Sequence, residues 1–525
     1  MRASPRGPSR GSGSRVRGSP LESRRFHSSE ELLAGGALAV AMLATVVLSS
    51  VLALNWSWPI ALAAAAAVAG IMVALSRPGL AIGLVLLLFF VLDENTDDVL
   101  PVLGRAGDEL YGDYIGGLLA DRDVLLVVCA VLAVVFFPAA EDRRRRVFGS
   151  VTWVFIAVGA CIVAGLVVGL YALTGPVGSL IGLRPYYTCV LAAFIVWRVL
   201  RSMPRERAER TIFWSATVVG IVLIVIGAVR VLGIAGTPVE IEGVPITFFD
   251  SASPYALLCC VGVWGVALSE RRYRGAPLVG LLLLALAGLT VAIASQRRAI
   301  LLGYVIAAVA LLVLNAVRQR GGFVRSVRVV AGVLLALAAV VLLVSVTVPG
   351  ARGVFEERAS SALTAAEESS STDPSLQYRV DESDAVYALA GRQLWTGIGP
   401  RAGFTPVNSI FLPTDGTYTH NTYLTLPLRY GIWGIMALTV LVIGLVVVLL
   451  RGLIPSPPRQ AWVMAASLIA LLPAIATAAF LTQTARWPIV VGAIAGAFDA
   501  LTDRPPPEHE RAPAPGREPA GAPAP

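Results

Sequence analysis

The stretch "LPLRYGIWGIMALTVLVIGLVVVLL", residues 426–450, decides the fold class. It contains no charged residue after Arg429, and it is long enough to supply the roughly 20 apolar residues that a helix needs to cross a bilayer. Similar apolar runs recur from Leu32 to Ala500, and 56% of the 525 residues are hydrophobic while only 14% are charged. A soluble domain usually has charge on about a quarter of its residues. The sequence therefore predicts an all-α polytopic membrane protein.

The apolar runs predict about fourteen spans, or twelve to thirteen if the short third and last runs do not cross. The predicted spans are residues 32–54, 58–76, 79–92, 123–140, 149–172, 186–200, 211–234, 254–269, 276–294, 299–315, 327–348, 426–450, 461–480 and 487–501. The prediction is therefore about 12–14 transmembrane helices, with the connections between them carrying most of the charge.

The positions of the arginines predict the orientation of these spans. The sequence contains no lysine, and its arginines concentrate in the N-terminal tail and in alternate loops. These loops are "EDRRRR" (141–146), "RSMPRERAER" (201–210), "ERRYRG" (270–275) and "NAVRQRGGFVRSVR" (315–328). The positive-inside rule places this side in the cytoplasm. We therefore expect a multi-pass plasma-membrane protein with both termini in the cytoplasm, and its net charge of +8 requires no nucleic-acid partner.

The same alternation predicts the division of the chain. Residues 1–30 are predicted to be a disordered cytoplasmic tail that does not resemble a cleavable signal peptide, and residues 502–525 a second disordered cytoplasmic tail. Between them we expect transmembrane helices over 31–348, one large extracytoplasmic loop over 349–419, and C-terminal transmembrane helices over 420–501.

Part of the large loop has helical periodicity. In "DESDAVYALAGRQLW" (381–395), apolar residues recur at helical spacing, and the glycines and proline of "GIGP" follow directly. Glycine and proline end helices. We expect a short helix that lies on the outer face of the membrane with its apolar side against the bundle.

The predicted extracytoplasmic side collects residues that suit phosphate chemistry. Three histidines occur in the chain, and only His420 lies outside the tails. Several guanidinium groups can hold a diphosphate through bidentate, charge-assisted bonds, and an imidazole can take a proton from a hydroxyl at neutral pH. The arginines on this side are Arg184, Arg297, Arg298, Arg379, Arg392, Arg401, Arg429 and Arg486.

Simpler roles are the alternatives for these arginines. Arg297 and Arg298 suit snorkelling to lipid phosphates, while Arg184, Arg429 and Arg486 suit anchoring at the membrane interface. No acidic cluster has the spacing of a magnesium site, and all five cysteines fall inside apolar segments. We therefore expect no metal, no other cofactor and no disulfide framework.

Three stretches together resemble one family of bacterial membrane enzymes. They are "SQRRAILLGYVIAAVALLVL" (295–314), "YRVDESDAVYALAGRQLWTGIGPRAGF" (378–404) and "THNTYLTLPLRYGIWG" (419–434). Their motifs and order are similar to the Ser-Arg-x-Ala, GxGPxxF and His-Asn motifs of the O-antigen ligase and O-antigen polymerase family of glycosyltransferases. Where that family commonly has a histidine before the glycine turn, this chain has Leu394, Trp395 and Thr396.

The resemblance implies a fold and a reaction. The family has a GT-C-like helical bundle with one large extracytoplasmic loop, and it transfers glycans from undecaprenyl diphosphate. Carried over to this sequence, Arg297 and Arg379 bind the diphosphate and His420 is the base toward the acceptor hydroxyl. Arg298 makes the first assignment ambiguous by one position, and Arg184 lies in a further similar stretch, "LRPYY". The implied site comprises His420 as the catalytic residue, Arg297, Arg379, Arg298 and Arg184 as diphosphate ligands, and Asn421 and Arg401 as supporting residues.

Several alternatives remain open from the sequence. The implied partners are a lipid-linked oligosaccharide donor, a glycan or cell-envelope acceptor and the lipid bilayer. Ligase and polymerase differ only in the acceptor, which the residues do not identify. The alternative function is a transporter or flippase for a polysaccharide precursor. The charge-free centres of the spans and the absence of an internal repeat argue against it, because transporters commonly use buried charges and repeated halves.

Overall fold

The computed structural model describes residues 76–91, 121–137, 148–170, 176–231, 240–241, 244–245, 252–269, 275–295, 298–318, 374–400, 421–454, 457–476 and 486–503. The chain divides into two compact units, residues 1–82 and 83–525. Only residues 76–82 of the first unit are described, and they include the first turn of a helix. The contacts below belong to the second unit.

The described residues are almost entirely helical. They form thirteen helices and one pair of two-residue strands, β1 (Glu240–Ile241) and β2 (Val244–Pro245), which pair antiparallel. The helices are α1 (Pro78–Val91), α2 (Asp121–Phe136), α3 (Ser150–Leu170), α4 (Pro176–Ser202), α5 (Arg205–Val231), α6 (Ala252–Leu268), α7 (Ala276–Ala294), α8 (Arg298–Arg318), α9 (Pro374–Arg392), α10 (Thr422–Tyr430), α11 (Ile432–Leu453), α12 (Arg459–Ala474) and α13 (Arg486–Thr502).

The helices have the length and composition of a multi-pass membrane protein. Five segments within α3, α4, α5, α7 and α11 are long and apolar enough to cross a bilayer, and α1, α6, α8 and α12 contain shorter apolar segments. The predicted all-α membrane fold is confirmed. The predicted span 276–294 coincides with α7. The predicted spans 32–54 and 327–348, and all but the last residue of 58–76, lie outside the described residues.

Cross-helix contacts define two ends of the bundle. In α6 and α12, the Tyr255 hydroxyl donates to the carbonyl of Ser467, while at the other end of the pair Arg459 donates to the Ser269 hydroxyl, so the two helices run antiparallel. We call the end formed by residues 394–400, α10 and the first residue of α13 the loop end, and the other the opposite end.

Among the described helices, α4 and α13 are in backbone contact and run in the same direction. A Cβ added at Gly492 would overlap the carbonyl oxygen of Cys189, and one at Gly496 would overlap that of Ala193. These glycines are four residues apart, which is the small-residue spacing that allows membrane helices to approach closely. Their close packing places the first residues of α4 and α13 together at the loop end.

The predicted span 426–450 is wrong at its beginning. The chain breaks at Gly431, where φ is 59°, into the short helix α10 and the 22-residue helix α11, which begins at Ile432. A left-handed φ is easy for glycine and stops a regular helix. The leucines of α10 have the composition of a span, but Leu424 and Leu428 are buried against Val386 and Ile398, and Leu426 is buried in the main core.

Candidate functional site

Helix α10 follows directly after the predicted His-Asn motif, and its first turn is fixed to α12. The Asn421 side chain caps the helix, with its Oδ1 accepting from the Tyr423 backbone N–H at 2.9 Å. The Thr422 N–H donates to the carbonyl of Ile475 at 2.9 Å. The Tyr423 hydroxyl donates to the carbonyl of Leu472 at 2.8 Å. Asn421, predicted as a supporting residue, thus sets the start of the helix that follows His420.

The last turn of α10 is bonded to residues 394–400, which we call the glycine turn. Three backbone hydrogen bonds join the two segments. They run from Ile398 N–H to the Leu428 carbonyl at 2.8 Å, from Gly399 N–H to the Arg429 carbonyl at 3.0 Å, and from Ile432 N–H to the Leu394 carbonyl at 2.7 Å. The glycine turn therefore pairs with the end of α10 and the start of α11 along its whole length.

Two glycines permit this close approach. Gly397 has φ of 65°, and a Cβ there would overlap the backbone of Arg429. Gly431 has φ of 59°, and a Cβ there would overlap the carbonyl oxygen of Leu394. Each glycine of the pair thus faces the backbone of the other segment. The glycines of the GxGP and GxxG motifs serve here to dock the loop on α10.

Arg429 adds a side-chain bond to the same junction. It is only 3% exposed, and its Nη1 donates to the carbonyl of Gly399 at 3.1 Å. Since Arg429 precedes the span Ile432–Leu453, its charge lies outside the apolar segment. Burial lowers its pKa to about 10, which leaves it protonated at neutral pH. The anchoring role considered for Arg429 from the sequence does not describe this buried contact.

Helix α9 packs its apolar side on the same structure. Buried Val386 and partly buried Leu389 contact a small cluster that includes Leu424 and Leu428 of α10 and Ile398 of the glycine turn. The helix predicted over 381–395 is confirmed as α9, which begins earlier, at Pro374, and ends at Arg392. Arg379 lies in the second turn of α9, and its side chain is outside the described residues.

The second turn of α4 contacts the glycine turn and α10. The space beside Gly182 is filled by the Tyr430 hydroxyl and by Pro400, and the Tyr430 hydroxyl donates to the carbonyl of Gly182 at 3.4 Å. Two residues further on, Arg184 is 8% exposed, and its Nε lies 3.2 Å from Oδ2 of Asp123. Arg184 thus lies at the loop end as a buried ion pair.

Sequence reasoning missed Asp123 as the partner of Arg184. Asp123 is at the start of α2, and Arg122 also contacts its carboxylate, with Nε 3.6 Å from Oδ1. An acidic residue at the start of an apolar run was the available signal. It was read as the end of a loop because nothing local shows which distant helix an acidic side chain faces.

Arg486 is a second buried arginine at the loop end. Its Nη1 donates to the Ser253 hydroxyl at 2.9 Å, and its other nitrogens donate to the carbonyls of Phe89 and Phe90. It therefore joins α13 to α1 and α6, and it is not extended toward lipid headgroups as an interfacial anchor would be.

Among the remaining predicted site residues, the structure describes the backbone of Arg298 but not Arg297, Arg401 or His420. Arg298 begins α8, whose Gly303 and Tyr304 pack against the last turns of α12, so that the start of α8 also lies at the loop end. The side chain of Arg298 is outside the described residues, as are Arg297, Arg401 and His420 altogether. Their predicted roles remain predictions.

The loop end therefore joins, through defined contacts, the two segments that the sequence singled out. Helix α9, which includes Arg379, packs on α10, which is preceded by His420, and the glycine turn connects them. In the part of the chain that the structure describes, no three His, Cys, Asp or Glu side chains form a group that could hold a metal ion. The described cations of this end are guanidinium groups, which suit binding of phosphate oxygens.

Part of the chain matches a family model. No curated protein matches the chain. Residues 281–439 match the family model Wzy_C, described as O-antigen ligase, and this match confirms, over that part of the chain, the resemblance to the O-antigen ligase family predicted from the sequence.

Proposed function

We propose that the protein transfers a glycan from undecaprenyl diphosphate to an acceptor hydroxyl at the extracytoplasmic face of the plasma membrane, without a metal ion. The O-antigen ligase match supports a role in glycan transfer, as a ligase or a polymerase. The matched segment includes six of the seven predicted site residues, namely Arg297, Arg298, Arg379, Arg401, His420 and Asn421.

The docking of the glycine turn is the observation that carries the proposal. It holds the helix that includes Arg379 against the helix that His420 precedes, through three backbone hydrogen bonds and the buried Arg429 side chain. A donor-binding group and a proton acceptor must keep a fixed separation for transfer. The docking of the glycine turn supports the proposal because it would help to keep this separation.

The proposed reaction assigns one role to each group. The His420 imidazole takes the proton of the acceptor hydroxyl, and the hydroxyl oxygen forms a bond to the anomeric carbon of the donor sugar. The bond between that carbon and the diphosphate oxygen breaks, and undecaprenyl diphosphate leaves. Arg297 and Arg379, with Arg298 and Arg184, stabilise the negative charge of the diphosphate as it departs.

The distribution of arginines supports the proposed orientation. At the opposite end, Arg207, Arg210, Arg451 and Arg459 are exposed at helix termini. At the loop end, Arg122, Arg184, Arg429 and Arg486 are buried in contacts within the protein, and Arg392 is the one described arginine there that is exposed. Exposed basic residues mark the cytoplasmic side, so the loop end faces away from the cytoplasm.

The role of His420 is tested by transfer of a radiolabelled lipid-diphosphate glycan with purified, detergent-solubilised protein. His420→Ala should lower the rate by about 10²–10⁴, because loss of a general base costs this much, while donor binding is largely retained. His509→Ala, in the C-terminal tail, is the matched control and should transfer normally. Near-normal transfer by His420→Ala would rule out the base role.

The arginines should behave differently from the histidine. Arg297→Ala and Arg379→Ala should weaken both donor binding and turnover, because their side chains would contact the diphosphate before and during transfer. Lysine should rescue only in part, since it lacks the planar fork. Arg451→Ala, an exposed arginine of the opposite end, is the control. Unchanged donor affinity in both alanine variants would contradict the assignment.

Deletion of the gene distinguishes the enzyme from the transporter alternative. A strain that lacks the enzyme should accumulate lipid-linked glycan on the outer leaflet, since the precursor is delivered but not consumed. Accumulation on the cytoplasmic leaflet would instead indicate a defect in transport.

A further inference from the structure

Helix α9 and the glycine turn leave a stripe of side chains exposed on the side away from α10. Asp384, Tyr387 and Arg392 are exposed on one face of α9, and Trp395 is exposed in the turn that follows the helix. Trp395 is 70% exposed and Tyr387 is 66% exposed, and Leu394 beside them is 47% exposed. Exposed large apolar side chains that lie close together are typical of a contact surface.

The backbone contacts fix the depth of this face relative to the bilayer. The Leu394 carbonyl accepts from the N–H of Ile432, the first residue of α11, and Gly431 packs against the backbone of Trp395. Helix α11 has 22 residues, which span about 33 Å, close to the thickness of about 30 Å of the hydrocarbon core. Leu394 and Trp395 therefore lie at the level where the span leaves the hydrocarbon.

The exposed residues change from charged at Asp384 to aromatic at Trp395. This order is expected if the end at Trp395 lies deeper in the membrane. Asp384 precedes Arg392, the last residue of α9, by eight residues, or about 12 Å of helix, and Trp395 follows three residues later in the glycine turn. The charged end is thus far from the start of α11, and the aromatic end is next to it. Arg392 lies between them, exposed in the last turn of α9, where a guanidinium group can pair with lipid phosphates.

We propose that Trp395, Leu394 and Tyr387 insert into the headgroup region of the bilayer and anchor α9 and the glycine turn to the membrane surface. Tryptophan and tyrosine favour this region because their rings are apolar and their tips are polar. Ile435 and Met436 are exposed in the first turn of α11, which begins at Ile432, the residue bonded to Leu394. The occupant is therefore lipid, and the end of α9 nearest Trp395 lies deepest. This inference depends on the membrane fold and not on the proposed reaction.

Fluorescence quenching in vesicles tests the depth directly. A thiol-reactive, environment-sensitive fluorophore is placed at Leu394→Cys, which retains Trp395, or at the control position Asp384→Cys on the same stripe. Every labelled variant also carries Cys161→Ser, which removes the half-buried native thiol. The other four native cysteines are buried and should not react with the label. The full chain is reconstituted in vesicles of phosphatidylcholine and phosphatidylglycerol. Quenchers are a headgroup-level spin-labelled lipid and aqueous iodide.

The expected result is opposite for the two positions. The label at 394 should be quenched by the spin-labelled lipid and only weakly by iodide. The label at 384 should be quenched strongly by iodide. Equal iodide quenching at both positions would overturn the proposal. So would a label at 394 that neither reagent quenches, since protein would then cover the face.

Substitution of the anchor itself provides the second measurement. With the label at 394, Trp395→Tyr should keep the lipid quenching because tyrosine also favours the interface. Trp395→Glu should shift the label toward iodide, because a carboxylate draws the turn into water. An unchanged label in Trp395→Glu would show that Trp395 does not hold the turn at the membrane.

Discussion

The Arg429 side chain connects α10 to the glycine turn through its hydrogen bond to the Gly399 carbonyl. The carbonyl of Gly399 is buried with it, and the residues around this junction are largely apolar. Removing the donor leaves a buried acceptor without this bond, which costs about 1–3 kcal/mol. The position was unremarkable in the sequence because an arginine near the end of an apolar run usually reaches for lipid phosphates.

Arg429→Met should therefore lower the free energy of unfolding in detergent by about 1–3 kcal/mol. It should also loosen the glycine turn. Methionine keeps the length of the side chain but has no donor. The midpoint of unfolding can be followed by tryptophan fluorescence, and loosening by limited proteolysis near 394–400. Arg451→Met changes an exposed arginine of the opposite end and serves as the control. A midpoint equal to that of the control would mean that the backbone hydrogen bonds alone hold the junction.

At the scale of the helices, Asp499 of α13 caps the start of α3. Its carboxylate accepts from the N–H of Val151 at 2.9 Å and from the N–H and hydroxyl of Thr152 at 3.1 and 3.2 Å. Gly149 leaves room for the carboxylate, since a Cβ there would overlap it. The first N–H groups of a helix need acceptors, and a negative charge also favours this end of the helix dipole. A residue distant in sequence thus provides the cap that α3 lacks locally.

Asp499→Ala should destabilise the bundle by about 1–3 kcal/mol, because several buried N–H groups lose their acceptor. Asp499→Asn should cost less, since the amide oxygen still accepts although the charge is lost. Unfolding in detergent gives both values, with Glu206→Ala, an exposed acidic residue of α5, as the control. Equal effects of alanine and asparagine would show that the charge, not the acceptor, stabilises the helix end.

Across the whole molecule, the features predicted well are those encoded within short stretches. Runs of apolar residues located α7 to the residue, and helical spacing before the glycines located α9, although this helix begins at Pro374 and ends at Arg392 instead of 381 and 395. The break at Gly431 was missed because the leucines of α10 have the composition of a span, and only tertiary packing shows that they face the protein. The pairing of Arg184 with Asp123 was missed for a similar reason, since it depends on which helices become neighbours.

The orientation of the molecule is the last prediction, and the proposed function depends on it. Fusions of a reporter after Arg146 or Arg207 should be cytoplasmic, and one near Ser371 should be extracytoplasmic, because the exposed arginines of the described helices, except Arg392, lie at the opposite end. Alkaline phosphatase, active only outside the cytoplasm, and a fluorescent protein, active only inside, give complementary signals at each site. A cytoplasmic Ser371 would place the loop end on the wrong side for a donor presented at the outer leaflet. In that case the match to the O-antigen ligase family and the contacts of the glycine turn would remain, but extracytoplasmic transfer would not.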